Sequence, residues 1–87
     1  MTPEAADYLE KAQGDLSDAR KTLAIGLARV AARLAYYAAF HAAEALIVNR
    51  SGKAPKTHSG VRAAFGRLLK DEPDIAREML SFARLRV

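Results

Sequence analysis

Cysteine is absent from the 87-residue chain, which excludes both a disulfide framework and a thiolate metal site. No apolar stretch is long enough to span a bilayer, so we expect no membrane segment. The first ten residues, MTPEAADYLE, are not a basic start followed by an apolar run, and a signal peptide is therefore not predicted. These absences favour a soluble, cytoplasmic protein whose residues 1–87 form one domain, near the lower size limit of chains that fold alone.

The sequence motifs of several enzyme classes are missing as well. There is no HExxH zinc motif, no GxSxG nucleophile elbow and no phosphate-binding P-loop. His41 and Glu44 are three residues apart on one helical face, but helical di-iron sites need paired Glu-x-x-His motifs with further carboxylates. The only other histidine is His58. We therefore predict no metal, no cofactor and no catalytic residue.

Acidic residues are nearly absent from a long central segment. Residues 1–18 hold five acids and one base, whereas residues 20–70 hold ten bases and a single acid, Glu44. Ten bases against one acid leave this segment at +9, and no acid lies in residues 51–69. Such a charge favours a polyanion, a nucleotide or an acidic partner protein, and a merely solvated basic surface is the alternative.

Helical periodicity runs through the whole chain. Thr2 and Pro3 are expected to begin the first helix as N-cap and first helical residue, and Gly26 to end it. A second helix is predicted from about Ala28 to Asn49 as the central, most buried one. One strip of it is rich in alanine and should let a neighbouring helix approach closely, while a second strip should fill wider gaps. The first strip comprises Ala31, Ala35, Ala38, Ala39, Ala42 and Leu46, and the second Tyr36, Phe40, Ala43 and Ile47.

The rest of the chain is predicted to add a loop and two more helices. The loop is NRSGKAPK, residues 49–56, because its glycine and proline break a helix. A third helix follows, capped by Thr57 or Ser59, and ends within KDEPD, residues 70–74. Pro73 opens a predicted fourth helix. The predicted fold is therefore all-α, a four-helix bundle without strands.

Two groups of side chains are candidates for binding phosphate-containing ligands. The first surrounds the predicted start of the third helix, where unpaired backbone N–H groups attract anions, and consists of Lys53, Lys56, His58 and Arg62. The alternative for this group is a solvated loop with an ordinary N-cap. The second group is a polar strip of the second helix that contains Arg33, Tyr37 and His41. Glu44 can hold the imidazole of this strip in a fixed orientation, and a purely structural, hydrogen-bonded histidine is the alternative.

One long segment also resembles a known family. Residues 32–69, ARLAYYAAFHAAEALIVNRSGKAPKTHSGVRAAFGRLL, resemble the core of the HEPN domain (higher eukaryotes and prokaryotes nucleotide-binding), in particular its small stand-alone prokaryotic members. The resemblance combines an arginine before a Tyr-Tyr-Ala run, a glycine loop and a Lys-Thr-His-Ser-Gly-Val stretch. The matching residues are Arg33, Tyr36, Tyr37, Ala38, Phe40, Ala42, Ala43, Ala45, Leu46, Gly52, Lys56, Thr57, His58, Ser59, Gly60, Val61 and Phe65.

The resemblance implies an antiparallel helical bundle that is often dimeric. It also implies a partner, because such proteins are commonly encoded beside a minimal nucleotidyltransferase, many as toxin–antitoxin pairs. Many members are metal-independent ribonucleases that use an arginine closely followed by a histidine, brought together across a dimer. Here seven residues separate Arg33 from His41 and Arg50 from His58. This spacing is longer than the family's, so ribonuclease activity is not expected.

The C-terminal residues depart from the family in a second way. In the subgroup that this chain most resembles, an arginine followed by Ala-Asp-Tyr sits in a later helix. Arg84 or Arg86 would begin that segment, but no Ala-Asp-Tyr follows either of them. The last residues, LSFARLRV, also stop within an amphipathic pattern and without a capping glycine. The final helix is therefore expected either to fray or to belong to a longer protein with a further C-terminal helix.

Three functions follow as hypotheses. The favoured one is a non-catalytic HEPN-like module that binds a nucleotide, RNA or a partner nucleotidyltransferase through the two candidate groups. The second is a metal-independent endoribonuclease toxin, with Arg33 or Arg86 holding the phosphate and His41 or His58 as the acid–base group. The third is a helical protein that binds only itself or other proteins. A homodimer is expected in each case, because so small a bundle leaves apolar stripes uncovered.

Overall fold

The computed structural model describes residues 1–72 and residue 74, which form three α-helices. These are α1, Pro3–Ala24, α2, Ala28–Ser51, and α3, His58–Asp71. No strand occurs in these residues, so the all-helical prediction is confirmed. The four-helix bundle is not confirmed, because the helix predicted from Pro73 lies outside the described residues. Within the described part, no helix is long and apolar enough to cross a membrane.

α1 begins and ends where local sequence signals place its ends. Thr2 is the N-cap, and its Oγ1 accepts a hydrogen bond from the backbone N–H of Ala5 at 3.1 Å. Pro3 occupies the first turn, where a backbone N–H is not needed. After Ala24, the chain turns at Gly26, whose φ is 84°. Side chains make this left-handed conformation costly, so glycine permits the tight connection to α2.

α1 and α2 form an antiparallel hairpin. The backbone N–H of Thr2 donates to Oδ1 of Asn49 at 3.2 Å, which places the start of α1 beside the end of α2. Both helices bury alanine at every seventh residue, a repeat that keeps one face of each helix against the other. Because alanine is small, the two backbones approach closely along this seam. The seam residues are Ala5, Ala12 and Ala19 of α1 with Ala31, Ala38 and Ala45 of α2.

The predicted alanine strip of α2 is wrong in part. Ala38 is buried, but Ala35 and Ala39 are exposed. The prediction followed the average helical period, whereas the interface with α1 follows the seven-residue repeat onward to Ala45 and then to Val48, which is 1% exposed. α2 is nevertheless the most buried helix of the described chain, as expected, because it packs against both α1 and α3.

A small apolar cluster joins α3 to α2. Its centre is Val61 of α3, which is 2% exposed and packs with Ala43 and Ile47 of α2. Three partly buried side chains surround this centre, namely Phe40, Ala64 and Phe65. The predicted packing strip is confirmed for Phe40, Ala43 and Ile47, whereas its fourth residue, Tyr36, is 45% exposed and lies outside the cluster. The position of α3 therefore depends on few buried side chains.

The direction of α3 differs from the prediction. His58, at the start of α3, stacks on Phe40, whereas Glu72, just past its end, pairs with Arg50 at 2.9 Å. α2 runs from Phe40 toward Arg50, and α3 runs from His58 toward its end beside Glu72. The two helices therefore run in the same direction where they are in contact. The connection of residues 52–57 carries the chain back along α2. An antiparallel arrangement therefore holds for α1 and α2 but not for α2 and α3.

The start of α3 is fixed by one of its two predicted caps. Thr57 is the N-cap, and its Oγ1 accepts from the backbone N–H of Gly60 at 3.0 Å. A Cβ atom at Gly60 would lie 2.9 Å from that Oγ1 and 3.0 Å from Cβ of Pro55. Only glycine fits there without a shift of the loop. The loop and cap together hold His58 in place as the first residue of α3.

Candidate nucleic-acid interface

Aromatic and basic side chains of α2 and α3 form one continuous surface. The His58 ring stacks on Phe40, with centroids 4.3 Å apart and planes 29° apart. Phe40 in turn stacks on Tyr36 at 6.3 Å. Nη1 of Arg62 lies 3.4 Å from the Tyr36 hydroxyl, a long and therefore weak hydrogen bond. Tyr36, Phe40, His58 and Arg62 are called the basic aromatic surface below.

This surface is accessible to a ligand. Tyr36 is 45% exposed, His58 and Arg62 are also exposed, and Phe40 is half-buried between them. Because the Arg62 contact is long, the guanidinium keeps most of its capacity to donate hydrogen bonds. Aromatic faces beside cations are the combination with which proteins bind unpaired nucleic-acid bases and their phosphates. The local chemistry is therefore suited to a single-stranded nucleic acid or a nucleotide.

The two loop lysines lie in different surroundings. Lys56 is exposed and lies two residues before His58. Lys53 instead lines a groove of about 340 Å³ together with Arg50, Arg67 and Asp71, among others. The charge of that groove is mixed, because it contains a carboxylate. The predicted gathering of Lys53 at the start of α3 therefore stays a prediction, whereas Lys56 adjoins the basic aromatic surface along the chain.

His41 lies in the seam between α1 and α2. Its Nδ1–H donates to Oε1 of Glu44 at 2.7 Å, because an ionised carboxylate can only accept. Its Nε2 lies 3.7 Å from Oδ2 of Asp15 on α1, and the Tyr8 ring stacks on the imidazole at 6.5 Å. Glu44 thus orients the ring as the sequence suggested. The two carboxylates disfavour a phosphate here, and binding by His41 stays a prediction.

Acidic and aromatic side chains surround His41. Burial raises the pKa of the Tyr8 phenol above its usual value, and the negative charges of Glu44 and Glu4 add to the effect. The phenol therefore stays protonated at neutral pH. Nζ of Lys11 lies 5.4 Å from the centroid of the Tyr8 ring, within cation–π range. Among the described residues, no three histidine, aspartate or glutamate side chains are arranged to hold a metal ion.

Arg33 and Tyr37 extend the polar strip of α2 toward the hairpin turn, and both are exposed. The Tyr37 ring stacks on His41 at 6.4 Å and meets Tyr36 edge-on at 5.6 Å. Tyr37 therefore connects the polar strip with the basic aromatic surface. Arg33 makes no ion pair within the described part of the chain. Both residues stay predicted ligand contacts.

Sequence reasoning missed three residues of these sites. Tyr36 and Phe40 fall on a strip that periodicity assigns to packing, and Phe40 both packs and presents its ring to His58. A usable signal is the four-residue spacing of Tyr36 and Phe40, which places two aromatic rings on one face of α2. Asp15 could have been found from the register of an antiparallel hairpin, which brings the middle of α1 to the middle of α2.

Comparisons with known proteins extend the likeness beyond residues 32–69. A family profile described as HEPN domain matches residues 5–86. The UPF0332 protein glr0978 of Gloeobacter violaceus is 34% identical over 93 aligned positions, which cover all of this chain and 71% of that protein. No solved structure matches the chain significantly.

Proposed function

Because this chain belongs to the HEPN domain family, we propose that it is a non-catalytic module that binds RNA or a nucleotide through the basic aromatic surface. The observation that carries this proposal is the stack of His58 on Phe40, with Arg62 and the exposed Tyr36 beside it. Two of its residues, His58 and Arg62, belong to residues 51–69, which contain no acid. No nearby carboxylate from that stretch would repel a phosphate.

The proposed binding combines two kinds of contact. Bases stack on the exposed aromatic ring of Tyr36, and stacking of this kind tolerates any base. Phosphates pair with Lys56, His58 and Arg62. Lys56 lies just before α3, and the other two lie in its first two turns. The partial positive charge at the N-terminus of α3 acts in the same direction. Lys53, Arg33 and Tyr37 are proposed as outer contacts for a longer strand.

The non-catalytic part of the proposal rests on the two arginines that precede a histidine in the family's order, Arg33 before His41 and Arg50 before His58, because seven residues separate each pair. His41 is tied to carboxylates in the α1–α2 seam, whereas His58 stacks on Phe40 beside α3. Arg33 lies about two turns, or ~12 Å, from His41 along α2. At that distance the two side chains do not form the close arginine–histidine pair that the family resemblance associates with ribonucleases.

A metal-independent endoribonuclease is the second candidate, and one observation favours it. Glu44 holds the imidazole of His41 through a 2.7 Å hydrogen bond, as carboxylates do for histidines that act as acid–base groups. Cleavage would then also need an arginine from outside the α1–α2 seam, such as one from a second copy of the chain. Specific RNA cleavage that disappears in His41→Ala or His58→Ala would establish this candidate and contradict the non-catalytic one.

Binding of a short RNA should weaken steeply as salt is raised, because each neutralised phosphate releases counterions. Replacing both Lys56 and Arg62 by alanine should weaken binding. It should also flatten the plot of log affinity against log salt by roughly one unit per lost contact. Fluorescence anisotropy of a labelled oligonucleotide across a salt series measures both effects.

The matched control removes two charges elsewhere. Arg20 and Lys21 are exposed residues of α1, and replacing both by alanine lowers the net charge of the protein equally. The slope of log affinity against log salt should then stay near that of the unchanged protein, because no direct phosphate contact is lost. Equal effects of the two double variants would show a general charge effect without a site. No salt-sensitive RNA binding at all would leave a protein that binds only proteins.

We further propose a homodimer and, in a toxin–antitoxin type pair, a nucleotidyltransferase partner. Support for self-association comes from the hairpin end, where Leu23 is 61% exposed, Ile25 73% and Leu27 47%. Adjacent exposed apolar side chains commonly mark protein interfaces. Light scattering at roughly tens of micromolar protein should show a dimer, and a clean monomer would contradict it. Purification from the native host without any nucleotidyltransferase would contradict the partner.

A further inference from the structure

A small cavity opens between α2 and α3, beside the basic aromatic surface. Its volume is about 170 Å³, and its walls include Tyr36, Phe40, Val61, Arg62 and Phe65. These walls are apolar except for one hydroxyl and one guanidinium, and no described acidic residue lines them. An apolar cavity of about 150 Å³ takes up one benzene molecule. This cavity therefore has room for a single aromatic ring.

We propose that the cavity receives one unpaired base of a single-stranded RNA, an inference that rests on the proposed function and specifies its ligand. The base enters between the helices and stacks against Tyr36 and Phe40. Arg62, which lines the same cavity, pairs with the phosphate of that nucleotide. His58 stacks on Phe40 at 4.3 Å and so holds its ring in one orientation. The site is thus built before the ligand arrives.

The charge at the cavity distinguishes a nucleotide from an apolar occupant. If a helix of a second copy or the chain's own residues 75–87 covered the cavity with apolar side chains, the guanidinium of Arg62 would lose water. Its only described partner is the Tyr36 hydroxyl at 3.4 Å, and a desolvated charge with so weak a partner is unfavourable. A phosphate supplies a partner of opposite charge. Because the cavity is proposed to take an unpaired base, duplex RNA should bind poorly, since its bases are paired.

Tyr36 provides the sharpest variants for a test. It is 45% exposed and lies outside the apolar cluster that joins α3 to α2, so its replacement should leave the fold intact. Tyr36→Leu removes the ring but keeps an apolar side chain, whereas Tyr36→Phe keeps the ring and removes only the hydroxyl. Each variant is titrated with one oligonucleotide as a single strand, as a duplex, and as a single strand whose bases are all replaced by abasic sites.

The unchanged protein should bind the single strand at least roughly fivefold more tightly than the abasic strand, as expected for one stacked base. It should also prefer the single strand to the duplex. Tyr36→Leu should lose roughly fivefold in affinity for the single strand and nothing for the abasic strand. Tyr36→Phe should bind like the unchanged protein. Melting temperatures of both variants check that the fold is kept.

Several results would overturn the inference while leaving RNA binding in place. One is equal affinity for single strand, duplex and abasic strand, and another is equal binding by Tyr36→Leu and Tyr36→Phe. A third is a Tyr36→Leu variant with altered melting temperature or dimerisation but unchanged RNA affinity, which would show that residues 75–87 or a second copy fill the cavity. Absence of any RNA binding by the unchanged protein would instead remove the proposed function itself.

Discussion

Replacing Ile47 by alanine should lower the free energy of unfolding by about 2–5 kcal/mol, the usual range for removing a large aliphatic side chain from a core. Ile47 is 6% exposed and packs with Ala43 and Val61 in the cluster between α2 and α3. Small domains have only about 5–15 kcal/mol in total, so the loss is a large share. Urea denaturation followed by circular dichroism measures it.

The chain contains its own control for this substitution. Ile25, in the turn between α1 and α2, is 73% exposed. At protein concentrations low enough to keep the chain monomeric, its replacement by alanine should change stability by no more than about 0.5 kcal/mol. Equal losses in the free energy of unfolding at the two positions would mean that Ile47 does not stabilise the packing of α3. Because the basic aromatic surface takes residues from both α2 and α3, Ile47→Ala should also weaken RNA binding, whereas Ile25→Ala should not.

Replacing Ala38 by leucine should destabilise the protein by about 1–3 kcal/mol, because extra methylene groups do not fit a close-packed seam. Ala38 is 8% exposed. It is one of the six buried alanines of the seam between α1 and α2. In a chain of this size, each kcal/mol lowers the melting temperature by about 4–8 °C. A thermal melt therefore resolves the effect.

The neighbouring alanine is the matched control. Ala39 is exposed, so Ala39→Leu adds the same atoms without overpacking and should leave the melting temperature within a few degrees of the unchanged protein. Leucine and alanine are both good helix formers, which removes helix propensity as an explanation. A larger loss at Ala39 than at Ala38 would mean that α2 turns its other alanine face toward a neighbouring helix.

The ends of the helices were predictable because their signals are local. Thr2, Pro3 and Thr57 act through their own side chains and the next turn of backbone. The buried face of α2 was harder to predict. Alanines occupy so many of its positions that the average helical period marks no single stripe, and Ala39 seemed as suitable as Ala38. Only the shared seven-residue repeat of α1 and α2 selects the correct face.

At the candidate sites too, local contacts were predictable and contacts between helices were not. The contact between His41 and Glu44 spans one helical turn, so spacing alone predicts it. The stack of His58 on Phe40 joins residues 18 positions apart. It depends on the direction in which α3 crosses α2, which no local pattern specifies. The basic central segment and the family resemblance both led to the expectation of nucleotide binding, but only the packed helices bring Arg62 beside Tyr36.

Nuclear magnetic resonance of ¹⁵N-labelled protein, titrated with a short single-stranded RNA at low salt, tests most directly whether the basic aromatic surface binds RNA. We expect saturable shift changes centred on Tyr36, Phe40, His58 and Arg62, with little change around His41 in the α1–α2 seam. The same titration at high salt should show smaller changes at equal RNA concentration. Changes centred on His41, or no saturable change anywhere, would contradict the assignment of the RNA-binding surface to α2 and α3.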